Sequence, residues 1–145
     1  MVNILVIHGP NLNLLGEREP AVYGEQTLED INKMLKDTGA EYQVEVDCFQ
    51  SNHEGTIVDQ IQEARGRYQA LIINAGAYSH YSIAILDALR SFKGPIIEVH
   101  LSNIYQRESY RHRSLISEAA TGGIFGLGAL GYKLALLAAI EMLKQ

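Results

Sequence analysis

Four groups of polar residues follow directly on short apolar runs, and their side chains suit proton transfer and hydrogen bonding. The first runs from His8-Gly9-Pro10-Asn11-Leu12-Asn13-Leu14-Leu15-Gly16-Glu17-Arg18-Glu19-Pro20 on to Tyr23-Gly24. The others are Gln50-Ser51-Asn52-His53, Asn74-Ala75-Gly76-Ala77-Tyr78-Ser79-His80 and His100-Leu101-Ser102-Asn103. Imidazoles exchange protons near neutral pH, and carboxamides and hydroxyls both donate and accept hydrogen bonds. Together they describe an uncharged hydrogen-bonding cleft of the kind that holds a polyol. Singly, each has a plainer explanation, because Asn and Gly are ordinary turn formers. A lone His at a strand end, such as His8 or His53, is commonly a structural side chain. Weight comes from their joint occurrence, provided one rim of the fold carries all four.

The segment from Gly9 to Gly24 is long for a strand-to-helix connection, and long loops in compact domains often act as lids. It carries Glu17, Arg18, Glu19 and Tyr23; its spacing fits a lid and a solvated loop equally. The run Arg107-Glu108-Ser109-Tyr110-Arg111-His112-Arg113 fits a solvated basic face, or an Arg set over a cleft to recognise hydroxyls or a carboxylate. Two patterns suggest chemistry that their context does not support. Gly126-Leu127-Gly128-Ala129-Leu130-Gly131 matches the dinucleotide-binding G-x-G-x-x-G, but no later strand remains to carry the acidic ribose ligand. It is expected to be a tight turn packing the last helix onto the sheet. The five histidines show no H-x-x-x-H spacing and no cysteine partner, so no metal site is expected.

The elements that must position these groups alternate. Ile4–Ile7, Tyr42–Phe49, Ala70–Ile73, Pro95–Val99 and Gly123–Leu127 are short and rich in β-branched or aromatic residues. Their apolar residues are largely consecutive, as in parallel strands covered on both faces. Helical stripes lie between them: Leu28, Ile31, Met34 and Leu35; Ile57, Ile61 and Ala64; Ile85, Leu86 and Leu89. Ser51-Asn52-His53-Glu54 has the form of a capping box and predicts a helix start. Five strands alternating with helices predict an α/β three-layer sandwich with right-handed crossovers. A flavodoxin-like five-stranded parallel sheet of order 2-1-3-4-5 puts ligands beyond the carboxyl ends of the strands, where the four polar groups stand. The last helix, from about Tyr132 to Leu143, is apolar nearly all round, which predicts deep burial or an oligomer contact.

Composition bounds the function. A chain of 145 residues fits one domain, taken as 1–145. Its net charge of −5 offers no global field for nucleic acid or an anionic membrane, so an anionic metabolite needs a local basic site. Cys48, the single cysteine, has no internal partner and lies in an apolar run, as an inert buried thiol does. No secretory signal precedes Ile4, and Ala129 to Ile140 is too short to span a bilayer. The expected setting is cytoplasmic.

Taken together, Gly9–Gly16 with Arg18-Glu19-Pro20 and Tyr23-Gly24, Gln50–Gly55, Asn74–His80, and Glu98–Asn103 with Arg111-His112 resemble the type II dehydroquinases, or 3-dehydroquinate dehydratases. The blocks keep their order and span nearly the whole chain. The family often has Pro at Ala75 and Asn at His8. The resemblance implies a cofactor-free lyase that removes water from 3-dehydroquinate to give 3-dehydroshikimate, in the shikimate or quinate pathways, by anti elimination through an enolate. It implies that Tyr23 is the base, acting as tyrosinate beside Arg18, since a free phenol titrates near ~10. It further implies that Asn11 orients a water at the enolate oxygen and that His100, with Glu98 beside it, protonates the departing hydroxyl. Leu101 and Ser102 would hold the carboxylate, and Asn74, His80 and Arg111 the ring hydroxyls. Asp87 would reach a neighbouring subunit's site in a dodecamer built as a tetramer of trimers.

Two other classes share the expected fold. A non-enzymatic module for a small ligand or nucleotide needs a phosphate cradle, and Gly9, Gly16 and Gly24 form no tight glycine-rich turn. A receiver-like signalling domain needs an acidic pair after the first strand and an Asp after the third. Gly9-Pro10-Asn11 and Asn74 stand there instead.

Overall fold

A computed structural model of the chain describes residues 1–17, 19–23 and 25–145, with Tyr23 described by its backbone alone. Five parallel strands, β1 (Val2–His8), β2 (Val44–Gln50), β3 (Ala70–Asn74), β4 (Ile96–His100) and β5 (Gly122–Phe125), form one sheet in the order β2-β1-β3-β4-β5. The predicted flavodoxin-like order is the observed one. The helices are α1 (Pro20–Tyr23), α2 (Leu28–Glu41), α3 (Glu54–Ala64), α4 (Ile83–Arg90) and α5 (Leu130–Leu143).

Successive residues of a strand face opposite sides, so a consecutive apolar run feeds two cores at once. Ile4, Val6, Ile72, Ile97 and Val99 pack with Ile31 and Leu35 of α2 and with Tyr132 and Leu136 of α5. Leu5, Ile7, Leu71, Ile73 and Ile96 pack with Ile57 and Ile61 of α3 and with Ile85 and Leu89 of α4. Each fully buried Ile or Leu contributes roughly 1.5–3 kcal/mol. Both faces are closed, and polar side chains emerge at the strand ends. There the register sets His8 opposite both Gln50 and Asn74, bringing three of the four polar groups side by side.

Local structure departs from expectation at the start of α3. The N-cap is His53, without a side-chain cap. The Ser51 Oγ accepts from the His53 N–H at 2.9 Å, turning the chain a step too early to reach the helix. Glu54 instead accepts from the Ser82 hydroxyl, tying α3 to the start of α4. A reciprocal capping box does form at Thr27 and Asp30, which opens α2. The glycine run before α5 is a packing turn, as expected. Gly126 and Gly128 have φ of 85° and 61°, and a Cβ on Gly131 would stand 3.3 Å from Ile124 Cγ2. Tyr132, Ala135, Leu136 and Ala139 bury one face of α5, while Leu130 and Lys133 stay exposed. Burial pushes the Cys48 thiol up to about 11, with Lys36 opposing and Asp47 assisting, which suits an inert thiol.

Gly9 lets β1 run into the cleft loop beside β3. A Cβ there would stand 2.5 Å from the Ala75 carbonyl carbon, whereas one at Gly55 in α3 meets nothing within 4 Å. Gly9→Ala should therefore cost about 1–3 kcal/mol in urea unfolding. Gly55→Ala should be neutral or stabilise by up to roughly 1 kcal/mol. Equal effects of the two changes would contradict the close approach at Gly9.

Candidate active site

The cleft forms at the carboxyl ends of β1, β3 and β4. Pro10, Asn11 and Leu12 bound it on one side, Asn74, Gly76, Ala77 and His80 on a second, and His100, Leu101, Ser102, Ile104, Arg107 and Arg111 on the rest. Its inner space is about 80 Å3. It adjoins a larger hollow of about 440 Å3 through Leu101, Ser102 and Arg107, and that hollow is lined by Ala21 and Val22 of α1.

Polar residues of the second group hold the first loop. The Gln50 amide nitrogen donates to the Gly9 carbonyl at 3.1 Å, and the Asn11 N–H donates to Asn52 Oδ1 at 3.0 Å. Asn52 in turn accepts from the Tyr78 hydroxyl through its carbonyl at 2.8 Å. Asn11 has the left-handed φ of 69°, which Asn tolerates better than most residues. It stands at the N-cap of the short 3-10 turn of Leu12–Leu14 at the cleft wall, and its side chain makes no cap hydrogen bond there.

Glu98 and His100 are two residues apart on β4, so they share one face of the strand. His100 donates through Nε2 to Glu98 Oε2, and both residues are buried. The same carboxylate oxygen accepts from Ser114 Oγ at 2.6 Å, while Oε1 accepts from Ser117 Oγ. Burial pushes the Glu98 carboxyl up, but the hydrogen bond and charge of His100 and the two serine hydroxyls outweigh it. The group is held below its ordinary value and stays ionised. With Nε2 engaged, Nδ1 is the nitrogen His100 has left for a ligand.

His80 lies against His100, ring centroids 6.2 Å apart and planes 20° from parallel. Its Nδ1–H donates to the Arg113 carbonyl at 2.8 Å, leaving Nε2 an acceptor in the neutral ring. Burial lowers its pKa, and the His100 and Arg111 charges act the same way, against the Arg113 carbonyl and Glu98. A neutral acceptor thus stands beside a carboxylate-backed imidazole.

The arginine-rich run brings two guanidiniums to the cleft. Arg107 donates to Ser102 Oγ at 3.3 Å, and Arg111 donates to Glu108 Oε2 at 2.7 Å while lying over the Tyr110 ring. They supply the local basic site that an acidic chain needs for an anionic ligand.

Asn11, Asn74, His80, His100, Leu101, Ser102 and Arg111, all expected at the site, line the one cleft. Asp87 is exposed on α4 and stands outside it. Arg18 and the Tyr23 side chain lie outside the described residues. Sequence reasoning missed Arg107 as a separate cleft residue, although its four-residue spacing from Arg111 was available as a signal. It also missed Ser114 and Ser117, which no local pattern links to Glu98.

Residues 2–140 match the family described as dehydroquinase class II. The chain is 55% identical over 143 residues to a 3-dehydroquinate dehydratase of Gloeothece citriformis, covering 99% of this chain and 94% of the relative. It is 51% identical over 143 residues to a protein named catabolic 3-dehydroquinase 2 of Aspergillus flavus, covering 99% and 95%. The type II dehydroquinase structure from Butyrivibrio crossotus superposes with a TM-score of 0.92 at 46% identity, over 99% of this chain and 98% of that one.

Two carboxyl-end groups predict separable effects of acid. Burial lowers the pKa of His8 from 6.5 to about 4, against the raising effect of its hydrogen bond to Asn32 Oδ1. A depressed folded pKa favours the neutral ring, so this stability is complete above pH 6.5 and is lost as pH falls towards 4. The loss amounts to about 3 kcal/mol. Glu98 is ionised in the fold, so its contribution is lost only below its ordinary 4.5. Urea midpoints should fall between pH 6.5 and 4.5 in the wild type and fall less in His8→Asn, where of the two histidines lowered by burial, His8 and His80, only His80 remains. Identical slopes in the two proteins would contradict the burial of a neutral His8.

Proposed function

The chain belongs to the class II dehydroquinase family, the type II 3-dehydroquinate dehydratases, and on that premise we propose how its residues 1–145 carry out the reaction as one catalytic domain. The elimination is anti and passes through an enolate. Tyr23, as tyrosinate, takes the proton from the carbon beside the ketone. The enolate oxygen is stabilised by a water that Asn11 orients. His100 gives a proton from Nδ1 to the departing hydroxyl, which leaves as water. Glu98 remains a carboxylate throughout and, by accepting from Nε2–H, holds the ring with Nδ1 towards the departing hydroxyl. One proton is taken and one is given, so passage of the proton from Tyr23 back to His100 through solvent restores the enzyme. Cofactor and Schiff base have no step in this sequence.

The observation that carries this reading is the cleft itself, where the Glu98-backed His100 meets His80, Asn74, Asn11 and Arg111. His80 and Asn74 suit ring hydroxyls, with Arg111 beside them. Leu101 and Ser102, through backbone N–H groups and the Ser102 hydroxyl, suit the carboxylate, and Arg107 adds a nearby cation. Ala21 and Val22, next to Tyr23 in the chain, line the adjoining hollow, which supports delivery of the base from the α1 side. Arg18 lowers the phenol's pKa: a drop of roughly two units asks for about 2.7 kcal/mol of interaction with the phenolate. Asp87, exposed on α4, is assigned to a neighbouring subunit's site in a dodecamer of four trimers. A cytoplasmic setting, and a place in shikimate synthesis or quinate breakdown, complete the proposal.

Base and activator separate by their response to pH. Tyr23→Phe removes the only oxygen able to take the proton, so kcat should fall by several orders of magnitude at every pH. Arg18→Ala should be crippled near neutrality yet recover in part as pH rises towards the phenol's ordinary value near ~10. Parallel pH profiles for the two variants, or near-normal turnover in Tyr23→Phe, would assign the base elsewhere.

Sharing of the site is tested by Asp87→Ala. That change should raise KM and weaken subunit association together in sedimentation at assay concentration. A monomer with full activity would remove Asp87 from the site.

A further inference from the structure

Behind the cleft a chain of hydrogen bonds ties the ends of β1 and β3 to α2 and α5, the two helices on one face of the sheet. Asn32 of α2 faces His8 Nε2 with its Oδ1 at 2.8 Å, and His8 Nδ1 meets the Tyr132 hydroxyl of α5 at 2.9 Å. Asn74 Nδ2 donates to that hydroxyl at 3.1 Å, and Asn74 Oδ1 accepts from the Gly76 N–H at 3.1 Å. His8 and Tyr132 are both 0% exposed, and Asn74 is 4% exposed where it borders the cleft.

Counting donors fixes the direction of the chain. The Gly76 N–H can only donate, so Oδ1 of Asn74 is the acceptor and Nδ2 must face Tyr132. The Tyr132 oxygen accepts from Nδ2, and its own hydrogen then needs an acceptor in a site without water access. Among the described residues His8 Nδ1 is the acceptor in reach, which requires the tautomer with the proton on Nε2, donated in turn to Asn32 Oδ1. The opposite tautomer would aim two donors at one phenol oxygen and leave a buried O–H unpaired. Burial keeps His8 neutral and pushes the Tyr132 phenol up, with Cys48 assisting and Asn74 opposing, so neither partner changes charge near neutral pH.

We propose that His8 and Tyr132 are positioning residues that lock the Asn74 carboxamide, so that its second N–H is offered to a substrate oxygen in the cleft. Asn74 therefore meets its ligand as a donor, and the substrate group that it reads presents a lone pair. The relay rests on the functional reading above only for the identity of that ligand. It also gives the histidine at position 8 a task at the site although it never touches the substrate.

Two measurements test the relay. The first uses steady-state kinetics with 3-dehydroquinate on Tyr132→Phe, Asn74→Ala and the double variant. Tyr132→Phe should raise KM about tenfold with kcat held within about threefold, and should add nothing further in the Asn74→Ala background. Multiplying effects on KM, or an unchanged KM in Tyr132→Phe, would overturn the proposal. The second needs no variant and no turnover: nitrogen-15 NMR of the wild-type histidines at neutral pH. It should show His8 protonated at Nε2 and bare at Nδ1, and the other tautomer or a charged ring would overturn the relay. Failure of wild-type protein to turn over 3-dehydroquinate would reject the functional reading, while the NMR result would still decide the relay.

Discussion

A parallel sheet covered by helices on both faces leaves its strand ends as the places where polar side chains can gather, and the site follows from that constraint. The register of β1 against β3 sets His8 beside Asn74, and β4 ends on His100 next to them. A slip of one residue in β4 would turn Glu98 and His100 towards α2 and α5 and bury two titratable groups among Ile31, Leu35 and Leu136. Apolar packing on both faces therefore fixes the orientation of Glu98 and His100 as firmly as any contact at the cleft. The same packing brings Tyr132 of α5 under the end of β3, where its hydroxyl joins the cleft wall to the core.

Burying an ionised carboxylate costs several kcal/mol unless its lone pairs are satisfied. Glu98 meets that condition with three donors, His100, Ser114 and Ser117, drawn from β4 and from the long connection to β5. The connection consequently has two tasks. Its arginines bring positive charge to an acidic protein's cleft, and its serines keep a carboxylate ionised behind the imidazole. Burial, with His100 close by, disfavours a charge on His80, which is left to accept a hydrogen bond beside the imidazole that Glu98 holds. The two histidines are chemically alike as free side chains and are separated by their neighbours.

Much of this was legible in the sequence because the strands are continuous apolar runs, each followed by polar residues. That pattern gave the strand order, the shared rim and six of the cleft residues, with strand limits off by one or two residues, while Arg111 was named through the family resemblance. The capping box at Ser51 failed because a hydroxyl can bond its own turn before it reaches a helix, a choice that spacing does not resolve. Arg107, Ser114 and Ser117 were not distinguished because their tasks depend on how an irregular segment folds back over β4. His8 reads in the sequence as a structural side chain, and its bond to Tyr132 spans 124 positions of the chain, far beyond any periodicity. Long-range polar pairing is where residue patterns carry least information.

The central claim is that this cleft eliminates water from 3-dehydroquinate with opposite-face geometry, the base and the carboxylate-backed imidazole acting across the ring. The most direct test is the stereochemical course with substrate deuterated at either position of the carbon beside the ketone, followed by mass spectrometry of the product. Loss of the label anti to the departing hydroxyl, with the syn label retained, is the predicted result. Loss of the syn label would contradict the account.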